Sequence, residues 1–185
     1  MNVGGVDYEI RTDYRVVLDL LTALSDPDLT DADEQMTAYM QSRVIMEIMY
    51  PDCDNIPSEH LQEALQKVSE FIDMGIVDDR KRPKTMDWEQ DAPILIPAIN
   101  KVLNREIRAE KYIHWWTFLG AYMEIGESLF SSVVNIRQKK AKGTKLEKWE
   151  QDFYKENKSL IDFKQNNQRS EEEKQELRSY FGYKK

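Results

Sequence analysis

Apolar residues recur at three- and four-residue spacing through most of the chain, and the breaks in that rhythm predict a series of helices. Tyr14, Val17, Leu18, Leu21 and Leu24 form one face of a first helix, which Thr12 can cap and Pro27 ends. Thr30 can cap a second, with Asp31, Asp33 and Glu34 suited to the positive end of its dipole. Met36, Met40, Val44 and Ile48 give this helix an i, i+4 stripe, and Pro51 stops it. Pro57 opens a third helix at a position that tolerates proline. Leu61, Leu65, Val68 and Ile72 line it, and Gly75 is its stop. Asp87 with Gln90 reads as the capping box of a fourth helix, in which Pro97 predicts a kink or a break. From Arg105 to about Lys142 the periodicity stays helical, with an interruption near Gly126. Gly143 then punctuates the pattern, and Thr144 can cap a helix carrying Leu146, Trp149 and Phe153 on one face. A last capping box, Ser170 with Glu173, precedes Leu177, Tyr180 and Phe181. Residues 1–11 read as extended or loose, residues 76–86 as a linker holding Arg80, Lys81, Arg82, Pro83 and Lys84, and residues 164–169 as a polar break.

Only 7 Gly and 6 Pro punctuate the 185 residues, too few for the many turns of an all-β fold. The expectation is an all-α protein: one bundle of about six to seven helices over residues 1–163, then a linker and a short, basic C-terminal helix over residues 164–185. With 41% hydrophobic residues the chain can build a real core.

Charge changes the picture because it is uneven. Residues 1–54 hold twelve acidic side chains against Arg11, Arg15 and Arg43, giving −9; residues 137–185 hold fourteen basic against nine acidic, giving +5. An acidic head disfavours nucleic acid, whereas the basic end suits an acidic partner or the chain's own head. No run is apolar enough to span a bilayer, no signal peptide stands at the start, and Cys53 is the single cysteine, so a reducing cytoplasm is expected.

Residues 112–125 differ from the other segments in being apolar nearly all round, which predicts a central helix. Burying both Trp115 and Trp116 would remove roughly 300–500 Å² from water. Gly120 and Ala121 would let a neighbouring helix approach closely.

Candidate chemistry is sparse. The two histidines, His60 and His114, lack the Cys and His partners of a zinc site. His60 is expected on the surface, and His114 as a hydrogen-bonded histidine of the core or its boundary. Asp87, Glu89 and Asp91 would serve acid–base work with His114 in a hydrolase, but acids also gather at helix starts for the dipole alone. Glu106 and Glu110, a turn apart, read as a solvated charged face. Gly143-Thr144-Lys145 lacks the upstream glycine and the residue order of a phosphate loop. No catalytic, metal or cofactor residue is therefore assigned. Met36 and Met40 offer an adaptable apolar surface, and the basic run containing Arg137, Lys139, Lys140 and Lys145 (with Lys142 and Lys148) suits an acidic partner.

The string His114-Trp115-Trp116-Thr117-Phe118-Leu119-Gly120-Ala121-Tyr122 resembles the hallmark of a small family of phage and prophage proteins from Gram-positive bacteria, called bacteriophage gene product fifteen. Further strings fit it in order: Thr12-Asp13-Tyr14-Arg15; Asp87-Trp88-Glu89-Gln90-Asp91-Ala92; Glu106-Ile107-Arg108; Ile136-Arg137-Gln138-Lys139-Lys140; and Gly143 to Lys148. The resemblance marks Trp88, Asp91, His114, Trp115, Trp116, Phe118, Gly120 and Tyr122 as family or core positions. It implies a gene placed between the major tail protein and the tape measure protein of long-tailed phages. Such a position implies a tail assembly chaperone without catalytic residues or cofactors, acting in the host bacterial cytoplasm and absent from the finished virion. Its partners would be the tape measure protein, the major tail protein and, in a homo-oligomer, copies of itself, with no membrane and no nucleic acid. A minor structural or tail-completion protein retained in the virion is the alternative, and the hydrolase a remote one.

Overall fold

The computed structural model describes residues 1–25, 34–76 and 83–164. The expected cap Thr30, the first-turn acids Asp31 and Asp33, the stop at Pro27, linker residues 77–82 and everything after residue 164, including the Ser170–Glu173 capping box, lie outside the described residues. Among those described, eight α-helices and one two-stranded ribbon make the protein all-α. No described helix is long and apolar enough to cross a membrane. The chain forms two compact units, residues 1–79 with 112–117, and residues 80–111 with 118–185.

In the first unit, β1 (Asn2–Val3) pairs antiparallel with β2 (Val6–Asp7). The turn between them is made by Gly4 and Gly5, both at positive φ. Gly4 has a second reason to be glycine, because a Cβ there would meet the His60 ring at 2.2 Å. Helix α1 (Tyr14–Leu24) packs on α2 (Glu34–Met49), and α2 on α3 (Leu61–Ile72). Between α2 and α3 lie two short 3-10 turns, Cys53–Asn55 and Ser58–His60.

Several local expectations are corrected here. Asp13, not Thr12, caps α1, its carboxylate accepting from the Arg15 N–H. Leu20 joins Tyr14, Val17 and Leu18 in the core, while Leu21 and Leu24 are half-buried. The Met36, Met40, Val44, Ile48 stripe is not the buried face of α2. Met46 and Met49 at its end enter the core, while Met36 is 49% and Tyr39 59% exposed. The buried side of α3 is Ala64, Val68 and Phe71, with Leu61 exposed. His60 is half-buried rather than on the surface, its Nδ1 3.0 Å from the Tyr8 hydroxyl.

The second unit contains α4 (Ala92–Leu103), most of α5 (Trp115–Met123), α6 (Leu129–Ala141), α7 (Lys148–Glu156) and α8 (Lys158–Ile161). Pro93 occupies the first turn of α4, and the helix runs through Pro97 unbroken. Both prolines are exposed, so the carbonyl of Pro93 that loses its donor at Pro97 faces water instead of the core. The helix expected from Arg105 does not form. Asn104 turns the chain at φ 52°, a 3-10 turn follows at Ile107–Ala109, and α helix resumes only at Trp115. Val133, Ile136 and Ile161 form a core cluster covered by Ile94, Leu146, Phe153, Tyr154 and Leu160. Trp149 is not part of it and stands 53% exposed. The next position, Glu150, is fully buried and reaches back to the Glu147 N–H; Glu147 thereby replaces Thr144 as the cap of α7.

Tyr50 is buried in the first unit and donates to the Ala64 carbonyl at 3.1 Å. Burial disfavours the phenolate and pushes its pKa up to about 12 from 10.0. A raised folded-state pKa means that this contribution to stability is complete below pH 10 and is lost as pH rises towards 12. Spectroscopic titration of the tyrosines during alkaline unfolding should show a late-ionising component that Tyr50→Phe removes; an unchanged titration curve in that variant would refute this.

Candidate functional site

The strings that mark this sequence converge on helix ends. In the first unit Asp13 and His114 form an isolated antiparallel bridge, with Tyr14 N–H donating to the Ile113 carbonyl at 2.9 Å and Trp115 N–H to the Thr12 carbonyl at 2.8 Å. Asp13 also accepts from the Ile113 N–H, and from Arg15, whose guanidinium lies over the Tyr14 ring. This bridge sets the start of α5. His114 Nδ1 accepts from the Trp116 N–H at 3.1 Å, so its expected place at the core boundary holds, and its role is to start a helix.

The paired tryptophans then act as donors. Trp115 Nε1 donates to the Ile72 carbonyl at 2.8 Å and Trp116 Nε1 to the Phe71 carbonyl at 2.7 Å. These are last-turn carbonyls of α3, which lack the usual intrahelical donor; that of Phe71 also accepts from the Met74 N–H at 3.3 Å. Trp115 is 1% exposed, whereas Trp116 is 44% exposed and stacks on Phe71 at 5.7 Å. The expectation that both are buried is thus corrected, as is the reading of residues 112–125 as a helix apolar all round. Ile113, Trp115, Phe118 and Ala121 point inward, while Tyr112, Trp116 and Met123 are exposed. A Cβ on Gly120 would meet nothing within 4 Å, so no neighbour approaches closely there.

In the second unit the buried pair of Asp91 and Arg137 has the same function. Arg137 is 4% exposed, with Nη1 2.6 Å and Nη2 2.9 Å from the two carboxylate oxygens of Asp91. Its remaining donors go to the carbonyls of Ile161 (2.7 Å), Leu160 (2.6 Å) and Thr85 (3.3 Å), and its plane lies 4.2 Å from the Phe163 ring. All five N–H positions of the guanidinium are used, which is what makes a buried charge tolerable. Gln90 works beside it, donating to the Asp162 carbonyl at 2.9 Å and accepting from the Lys164 N–H at 3.0 Å. The string from Asp87 to Asp91 is folded on itself: Asp87 accepts from the N–H groups of Glu89 and Gln90, while Asp91 accepts from the N–H of Asp87. The capping box expected from Asp87 and Gln90 is therefore made by Asp87 and Asp91 instead, one turn ahead of α4.

Trp88, Phe118 and Tyr122 form an aromatic cluster, with Trp88 6.4 Å from Phe118 and 5.6 Å from Tyr122. Tyr122 reaches Phe130 at 6.0 Å and donates to the Met86 sulfur. Burial first, and then the charge of Asp91, raise the Tyr122 pKa. Glu106 is tied to Arg108 and Asn100, and the Arg108 contact lowers its carboxyl to about 2. Glu110 pairs with Arg105. These two acids belong to no common helix face.

The basic run is split by the same geometry. Arg137 is interior, Lys139 contacts buried Glu150 at 2.6 Å, and Lys140 contacts Asp162 at 2.6 Å. Lys139 and Lys140 hold the carboxyls of Glu150 and Asp162 below their ordinary range. Arg137 is buried, so as a partner-binding candidate it is corrected to a structural residue; Lys139 and Lys140 form ion pairs, and Lys140 and Lys145 stay exposed. Sequence reading missed Arg11, whose guanidinium takes the Glu47 and Ile48 carbonyls at the end of α2. It also missed the clamp made by Gln90. No group of three or more His, Cys, Asp or Glu that could hold a metal occurs among the described residues.

These contacts define an all-helical protein whose signature strings fasten its own helix ends. The chain belongs to the family described as Bacteriophage Gp15 protein, whose model matches residues 1–163, and it is therefore a phage protein. No curated protein and no solved structure matches it.

Two sets of variants test the assignment. Trp115→Ala should cost about 3–5 kcal/mol in urea unfolding, and Trp116→Ala only about 1–2 kcal/mol for one hydrogen bond and one stack; equal losses would contradict it. Arg137→Ala and Asp91→Ala should each cost about 3–5 kcal/mol, because each strands a buried charge, and the double variant should fall well short of their sum. Additive losses would show that the pair does not act as a unit.

Proposed function

We propose that this phage protein is a tail assembly chaperone, which binds the tape measure protein or tail tube subunits while a long tail is built and leaves before the virion is complete. It acts in the host cytoplasm by protein contact, without a catalytic step, cofactor, membrane or nucleic acid. Family membership supports the phage setting, and the family's implied gene position supports the tail. Within the structure, one observation carries the binding role: the leading half of α2 presents Met36 and Tyr39 to solvent, with Met40 half-buried beside them. Flexible, polarizable methionines next to an aromatic ring suit a surface that must accept many successive stretches of an amphipathic helical client.

Two of the three acidic residues that a hydrolase would use, Asp87 and Asp91, are engaged in folding. Both oxygens of Asp91 are taken by Arg137, and Asp87 caps the turn before α4 and pairs with Lys84. That favours the binding reading over the catalytic one.

Co-expression with the tape measure protein from the same phage tests this. The full chain should co-purify with it, and Met36→Glu with Tyr39→Glu should reduce capture at least about tenfold at an unchanged melting temperature. Undiminished capture would remove α2 as the client surface. Detection of the chain in purified virions by mass spectrometry at stoichiometric levels would replace the chaperone reading with that of a retained tail component.

A further inference from the structure

The loop and helix start at residues 142–149 carry charge that the fold leaves unspent. Lys139 and Lys140, just before it, are neutralised by Glu150 and Asp162. The side chains of Lys142, Lys145 and Lys148 are exposed and make no hydrogen bond or ion pair with any described residue. Among them stands Trp149, 53% exposed, its Nε1 held at 3.0 Å by the Glu147 carboxylate. That bond fixes an aromatic plate in water beside three free ammonium groups. Tryptophan with one satisfied polar edge and an open face is a common anchor of protein interfaces.

The first unit presents the opposite surface. Asp52, Asp54 and Glu59 are exposed within eight residues, on the two 3-10 turns between α2 and α3. Asp52 stands at the start of its turn without a side-chain capping bond, and neither Asp54 nor Glu59 has an ion-pair partner among the described residues. Exposed Pro51 and Pro57 flank these acids and stiffen the backbone that carries them.

We propose that copies of this chain associate head to tail, the 142–149 surface of one copy seating on the 51–59 surface of the next. Three free lysines facing three free carboxylates give the charge complementarity, and Trp149 with the two prolines gives apolar contact at the centre. The two surfaces differ, so the contact is heterologous. The net charge of −8 opposes association of whole copies, but at physiological ionic strength it is screened beyond about 8 Å, leaving the local complementarity to act. The inference does not rest on any particular client.

Sedimentation velocity on the full chain over a concentration series tests it. Species larger than a monomer should form at about 0.1 M salt and dissociate near 1 M. Reversing the basic side (Lys142→Glu, Lys145→Glu and Lys148→Glu) or the acidic side (Asp52→Lys, Asp54→Lys and Glu59→Lys) should weaken association about tenfold or more. All six positions are exposed, so the melting temperature should stay unchanged. Mixing the two reversed proteins should restore association, because each then offers the other a complementary surface. Trp149→Ala should weaken it without altering the salt dependence. A monomer at every concentration, or assembly indifferent to both reversals, would overturn the proposal. So would a monomer whose lysine reversal abolishes retention on single-stranded nucleic acid, which would give this surface to a different partner.

Discussion

The last carbonyl groups of a helix find no donor inside it and must take one from elsewhere or from water. At three helix ends of this protein donors come from side chains far along the sequence. Arg11 takes the end of α2, Trp115 and Trp116 the end of α3, and Arg137 with Gln90 the end of α8. Each donor is an N–H group on a rigid or planar head, and each closes a contact across 23 to 72 residues of sequence. Short helices such as α8, four residues long, have little stability of their own. Fastening their ends converts local segments into tertiary structure.

The residues singled out in the sequence serve this fastening. Asp13, His114 and Trp115 are neighbours because a backbone bridge starts one helix and an indole ends another. Asp91 and Arg137 meet because a buried guanidinium needs a carboxylate as well as carbonyls. The exposed methionine and tyrosine of α2, the acids of the 3-10 turns and the lysines around Trp149 take no part in these clamps.

Much of the helical plan was legible because apolar spacing, glycine and proline mark it directly. The end of α6 at Gly143 and the gap near Gly126 both followed from such marks. What was not legible was direction. A tryptophan pair reads as two buried side chains, yet one ring is interior and its neighbour lies half in water, because adjacent helical positions point about 100° apart. A run of six basic residues reads as one patch, yet Arg137 turns inward towards Asp91, a partner 46 positions away that periodicity does not pair with it. Residues 105–114 kept a helical rhythm but follow Asn104 in the left-handed region and end in a bridge to Asp13, tertiary demands that override local preference.

The most direct test of side-chain capping is hydrogen exchange at the capping groups themselves, read by nuclear magnetic resonance on the intact protein. The account predicts that the Trp115 indole N–H and the Arg137 Nε–H exchange only through large-scale unfolding, orders of magnitude more slowly than the indole N–H of exposed Trp149. Exchange of the Trp115 and Arg137 groups as fast as that of Trp149 would contradict it.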